Sequence, residues 1–133
     1  MMYPKFLILS MNSTEPNWFI GTDIVSVPRI SSIINKEQDS FISRIFTKGE
    51  ISYCGKRNNP AIHYAGRFAA KEALKKAILS YNPKSTISLK KIEIQRLDSG
   101  EPHVNLNESL DCKVSISHTE EFAIAFAIVK PKI

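Results

Sequence analysis

The chain of 133 residues has only two cysteines, Cys54 and Cys112, far apart and without CxxC or CxxxC spacing. That argues against a disulfide framework or a zinc site and suits two reduced thiols in a cytoplasmic protein. No stretch approaches the ~20 apolar residues that a membrane span requires. Lys5 followed by Phe6, Leu7, Ile8 and Leu9 imitates the start of a secretory signal, but Ser10 and the polar run from Asn12 to Asn17 break it too early. With 5 glycines, 7 prolines and 23% charged residues, a collagenous, low-complexity or wholly disordered chain is excluded. Basic residues occur at most in pairs, as at Lys75–Lys76 and Lys90–Lys91, so no polybasic tail is present to bind membrane or nucleic acid by charge density. No internal repeat is evident.

What remains is the composition of one modest globular domain: 43% apolar residues, 18 Lys and Arg against 13 Asp and Glu, and a net charge of +5. The positive balance favours anionic partners at long range without choosing among nucleic acid, phosphorylated small molecules, acidic proteins and anionic lipid. Residues 1–17 read as an N-terminal extension, with Met11 as an alternative start, and residues 18–133 as the domain.

From Trp18 the pattern becomes regular. Trp18 to Val25 is aromatic and β-branched, which predicts a strand carrying one acid, Asp23. Ser26 is an N-cap candidate with Pro28 in the first turn, and Ile30, Ile33 and Ile34 supply a helical apolar stripe. A second helical piece covers Phe41 to Phe46, and Thr47 with Glu50 forms a capping-box signature for a short helix towards Cys54. Pro60 opens the longest helix, over about Ala61–Leu79, ended by Tyr81-Asn82-Pro83. The period then falls to two: Ile87, Leu89, Ile92 and Ile94 predict a strand, Asp98 to Gly100 a turn, and Pro102 to Leu106 an edge strand. Val114 and Ile116 with Phe122 to Val129 form a closing hairpin. Helices first and mostly antiparallel strands later predict a single α+β domain.

Two acids lie in apolar surroundings. Glu72 projects into the helical arc of Ala61, Ala65, Phe68, Ala69 and Leu79, where an uncompensated carboxylate is costly. It either pairs with Lys76 one turn later or meets a metal. Asp23 either neutralises the helix N-terminus that follows it or joins Glu72 on a hard cation such as magnesium, which takes one or two carboxylates plus water and phosphate. Arg67, Lys71 and Lys75 recur every four residues as a positive stripe, read either as a solvated face or as a clamp for a phosphate-rich ligand. His118 and Thr119 at a strand end offer donors suited to phosphate.

These residues carry a resemblance. Ile20-Gly-Thr-Asp-Ile-Val25 with Arg29-Ile30, Ala65-Gly-Arg-Phe-Ala-Ala-Lys-Glu-Ala-Leu-Lys-Lys-Ala77, Gly100-Glu-Pro102 and Val114-Ser-Ile-Ser-His-Thr119 resemble, in order, the holo-acyl-carrier-protein synthases, the small phosphopantetheinyl transferases. The resemblance implies the fold of that family and magnesium-dependent transfer of 4'-phosphopantetheine from coenzyme A to a serine of an apo acyl carrier protein in fatty acid biosynthesis. It implies Asp23 and Glu72 as magnesium ligands and Lys76 at the transferred phosphate. It further implies Arg67, Lys71, His118 and Thr119 around the nucleotide, and a homotrimer with active sites between subunits. Arg29, Lys36 and Arg44 on the early helices are the expected docking surface for the acidic carrier protein. The chain departs from the family in having no glycine between Ile78 and Ser85 and in a first helix less rich in arginine. The competing reading is a small basic non-enzymatic module that binds RNA or another polyanion through the Arg67, Lys71, Lys75 stripe.

Overall fold

The computed structural model describes residues 17–37 and 39–132. Strand β1 (Phe19–Ser26) leads into helices α1 (Val27–Glu37), α2 (Asp39–Ile45), α3 (Lys48–Gly55) and the long α4 (Pro60–Tyr81). A 3-10 turn at Leu89–Lys91 precedes β2 (Glu93–Arg96), β3 (Pro102–Asn105), β4 (Leu110–His118) and β5 (Phe122–Pro131). The predicted α+β class is the observed one. One antiparallel sheet has the order β1-β5-β4, and β2 and β3 form a separate antiparallel pair.

Local chemistry accounts for the boundaries. The Arg29 N–H donates to Ser26 Oγ at 3.2 Å, the bond expected of an N-cap. Thr47 and Glu50 form a complete capping box at the start of α3. Pro60 occupies the first turn of α4, where its missing N–H costs nothing.

Helix α4 lies across one face of the three-stranded sheet and is covered elsewhere by the other helices and β2. Its small side chains Ala65, Ala69, Ala70, Ala73 and Ala77 are fully buried, as are Ala123, Ala127 and Val129 of β5. Small residues on both elements permit a close approach. It is tightest at Gly21, where an added Cβ would collide with the Ala73 carbonyl oxygen and stand 2.9 Å from the Ala77 nitrogen.

The strand expected from Ile87 to Ile94 is corrected: regular pairing begins only at Glu93, opposite Asn105. The 3-10 turn before it makes two tertiary bonds, Lys71 Nζ to the Leu89 carbonyl (3.0 Å) and Lys90 Nζ to the Ser43 carbonyl (2.7 Å). These contacts override the alternating pattern. Strand β4 also starts earlier than Val114, because Leu110 to Lys113 pair with Ile128 to Pro131.

Candidate active site

Alternation along β1 sends Gly21, Asp23 and Val25 to the helix side and Ile20 and Ile24 outwards. With Gly21 pressed against α4, Asp23 emerges two residues further on at the helix edge. There Lys76 Nζ donates to Asp23 Oδ1 at 3.2 Å and to the Thr22 carbonyl at 2.9 Å. The Lys76 side chain is 55% exposed and that of Asp23 18%, so this pair is an open electrostatic contact and no buried brace.

Glu72, one helical turn before Lys76, faces the same place. Burial and then the negative charge of Asp23 push its carboxyl above the ordinary range, with Lys75 and Lys76 opposing. Asp23 and Glu72 line one cavity of about 450 Å³, together with Arg29, Arg44 and Phe68. A carboxylate whose ionisation is disfavoured by burial and by a second acid, with an ammonium drawn to that second acid, marks a site deficient in positive charge. Among the described residues no cluster of three or more His, Cys, Asp or Glu side chains could hold a metal. The donor set is therefore two hard oxygen ligands with the remaining positions open. That fits a magnesium ion that keeps water and phosphate ligands and fits zinc poorly.

The positive stripe on α4 is not a solvated face. Lys71 is wholly buried, its ammonium ion-paired with Glu50 Oε1 and donating to the Ile45 carbonyl (2.9 Å) and the Leu89 carbonyl (3.0 Å). All three of its donors are occupied inside the protein, so the expectation that Lys71 holds the nucleotide is corrected. Burial lowers its proton affinity, and Glu50 offsets that only in part. The other Glu50 contacts are the Thr47 N–H and the Ile94 N–H, both 2.8 Å from its oxygens, so one carboxylate joins α3, α4 and β2.

Arg67 is also buried, at 8% exposure, but in a different environment. Its guanidinium carbon stacks 3.8 Å from the centre of the Tyr53 ring and its Nε has no hydrogen-bond partner. Arg57 lies over the same ring at 4.1 Å. The His63 ring meets Tyr53 edge-on at 5.8 Å, and His118 at the end of β4 meets His63 at 6.3 Å. Two arginines and His63 are thus gathered around one phenol, with His118 against His63. Thr119 adjoins His118 in the β4–β5 turn, where its hydroxyl oxygen accepts the N–H groups of Glu121 (3.2 Å) and Phe122 (3.1 Å).

Tyr53, Arg57 and His63 are absent from the sequence-derived site. Tyr53 and Arg57 carry no periodic signal and reach Arg67 only through the packing of α3 beside α4, whereas His63 stands one turn before Arg67 on α4, a spacing the sequence does hold. Of the three basic residues expected on the docking surface, Arg29 and Arg44 are exposed beside the cavity, whereas exposed Lys36 in the last turn of α1 lies outside its lining. Arg44 stands 4.0 Å from Glu37, both side chains at least half exposed, a contact too open to immobilise it.

The chain matches the family described as the 4'-phosphopantetheinyl transferase superfamily (ACPS) over residues 19–127. It is 39% identical over 113 residues to a holo-(acyl-carrier-protein) synthase of Thermodesulfovibrio yellowstonii, covering 83% of this chain and 96% of that one. A second such synthase, from Protochlamydia amoebophila, is 41% identical over 116 residues, covering 82% of this chain and 94% of the relative. Among solved structures, the Bacillus anthracis holo-(acyl-carrier-protein) synthase in complex with CoA (3',5'-ADP) superimposes with a TM-score of 0.73 at 32% identity, over 86% of this chain and 96% of that one. The Helicobacter pylori enzyme in complex with coenzyme A gives 0.72 at 30% identity, over 84% and 99%. The fold, the order of its elements and these similarities together make the chain a member of the 4'-phosphopantetheinyl transferase superfamily.

Proposed function

We propose that the chain is a holo-(acyl-carrier-protein) synthase, transferring 4'-phosphopantetheine from coenzyme A to a serine of an apo acyl carrier protein of fatty acid biosynthesis, in the cytoplasm. The observation that carries the reading is the meeting of Asp23 and Glu72 at one cavity lined also by exposed arginines, with the Lys76 ammonium bonded to Asp23. In the reaction, the carrier serine oxygen forms a bond to the pantetheine-side phosphorus of the pyrophosphate. The bond from that phosphorus to the bridging oxygen breaks, adenosine 3',5'-bisphosphate leaves with the electron pair, and the serine proton passes to a base. Such a displacement needs cationic groups on the phosphate oxygens more than it needs a protein nucleophile.

Asp23 and Glu72 would hold magnesium, which when bound neutralises charge on the pyrophosphate oxygens. Lys76, tethered beside Asp23, adds a mobile ammonium at the transferred phosphate. The base that takes the serine proton is a metal-bound hydroxide, a neighbouring acid or Lys76. Arg67, His118 and Thr119, joined by Arg57, form the cationic pole for the nucleotide phosphates. Arg29 and Arg44, with Lys36 further along α1, would receive the acidic carrier protein. Two free thiols, one buried, suit a reducing compartment.

The outer face of the sheet exposes Ile20 (58%), Ile24 (64%), Ile124 (49%) and Phe126 (42%) as one apolar patch. Covering it with two further copies gives a homotrimer.

Incubation with coenzyme A, magnesium and an apo acyl carrier protein, read by intact-mass spectrometry, tests the function. A phosphopantetheine increment on the carrier, abolished by chelator, is expected. A carrier left unmodified across acyl and peptidyl types would overturn it.

A further inference from the structure

The cluster around Tyr53 contains more than the arginines and His118 need. Arg57 approaches from the loop after α3, Arg67 and His63 from α4, and His118 from the end of β4. The charges that act on His63 come from Arg57, Arg67 and His118, and the phenol of Tyr53 packs against its ring. The ion pairs among the described residues involve Arg44, Lys71 and Lys76, and none reaches this cluster. Arg67 Nε, buried and unbonded, completes a pole that lacks an anion.

We propose that His63 is a phosphate-binding residue of this cluster, one that takes up a proton as a phosphate monoester dianion binds, so that nucleotide affinity falls as the solution becomes more alkaline. The inference rests on the placing of the nucleotide phosphates at Arg57, Arg67 and His118 given above.

The free protein holds His63 neutral. Burial depresses its proton affinity first, and Arg57, Arg67 and His118 depress it further. A dianion among the same groups reverses the sign of the local field. The arginines remain, but their charge is now matched, and protonated His63 gains an ionic hydrogen-bonding partner. The bound state therefore carries more protons than the free state. Between the two proton affinities of His63, binding weakens by up to about tenfold per pH unit for one proton linked. The second ionisation of a phosphate monoester lies near ~6, so the ligand itself stays dianionic above about pH 6.5.

Calorimetric titration of the protein with adenosine 3',5'-bisphosphate, without metal, tests this in buffers of different ionisation heat and at several pH values between about 6.5 and 8. The expected result for the wild type is net proton uptake and a dissociation constant that rises several-fold across the range. His63→Phe keeps an aromatic edge against Tyr53, His63→Gln keeps a polar group, and both should lose at least half of the uptake and flatten the pH dependence to under about twofold. Variants that retain the uptake and the slope of the wild type would overturn the role of His63 alone. A wild-type protein that does not bind the bisphosphate at any of these pH values would overturn both this inference and the placing of the nucleotide.

Discussion

At Glu72, burial and the charge of Asp23 both favour the protonated carboxyl, so its proton affinity is higher in the folded protein than in the unfolded chain. The folded state therefore loses stability as pH rises through the folded value. Glu72→Gln removes that loss. In metal-free buffer the variant should melt about 1–4 °C above the wild type at pH 7–8, with the gap closing as pH falls below the ordinary glutamate value of about 4.3. Differential scanning calorimetry with chelator checks this, and a variant that melts lower at pH 7 would contradict it. Asp23 and Glu72 were legible in the sequence because each is an acid among apolar neighbours, an arrangement that demands a cation. Lys71 was not. Its regular spacing from Arg67 and Lys75 suggests a wet face, and the acid that draws it inwards belongs to a different helix.

The helices and their ends followed local rules: a capping box at Thr47, proline at the start of α4, and Tyr81-Asn82-Pro83 after it. The 3-10 turn at Leu89–Lys91 did not, because the carbonyl of Leu89 is positioned by the Lys71 ammonium, a tertiary partner that periodicity cannot encode. Lys71 thus ties α4 to α2, α3 and the approach to β2. Lys71→Met leaves the Glu50 carboxylate buried without its cation and should destabilise the fold by about 3–5 kcal/mol in urea denaturation. In the fraction that remains folded, affinity for coenzyme A should be unchanged. A variant of native stability that binds coenzyme A poorly would restore Lys71 to the ligand site.

For the whole molecule, the net charge of +5 and the apolar sheet face describe two different encounters. The charge, with Arg29 and Arg44 at the cavity mouth, favours an acidic macromolecule. The face of Ile20, Ile24, Ile124 and Phe126 favours further copies of the chain. The alternating pattern of β1 and β5 announces two apolar faces, yet only the structure shows which one α4 covers. Ile124→Glu should shift sedimentation from a trimer to a monomer and reduce transfer. A wild type that sediments as a monomer would refute the trimer.

The proposed function depends on Asp23 and Glu72 sharing one divalent ion. Titration with manganese in place of magnesium, followed by electron paramagnetic resonance of the free ion in the presence of coenzyme A, measures that directly. One site per chain is expected in the wild type, weakened by about 100-fold or more in both Asp23→Asn and Glu72→Gln, since a direct ligand should cost at least as much as the 10–100-fold typical of outer partners. Binding that survives unchanged in either variant would contradict the account.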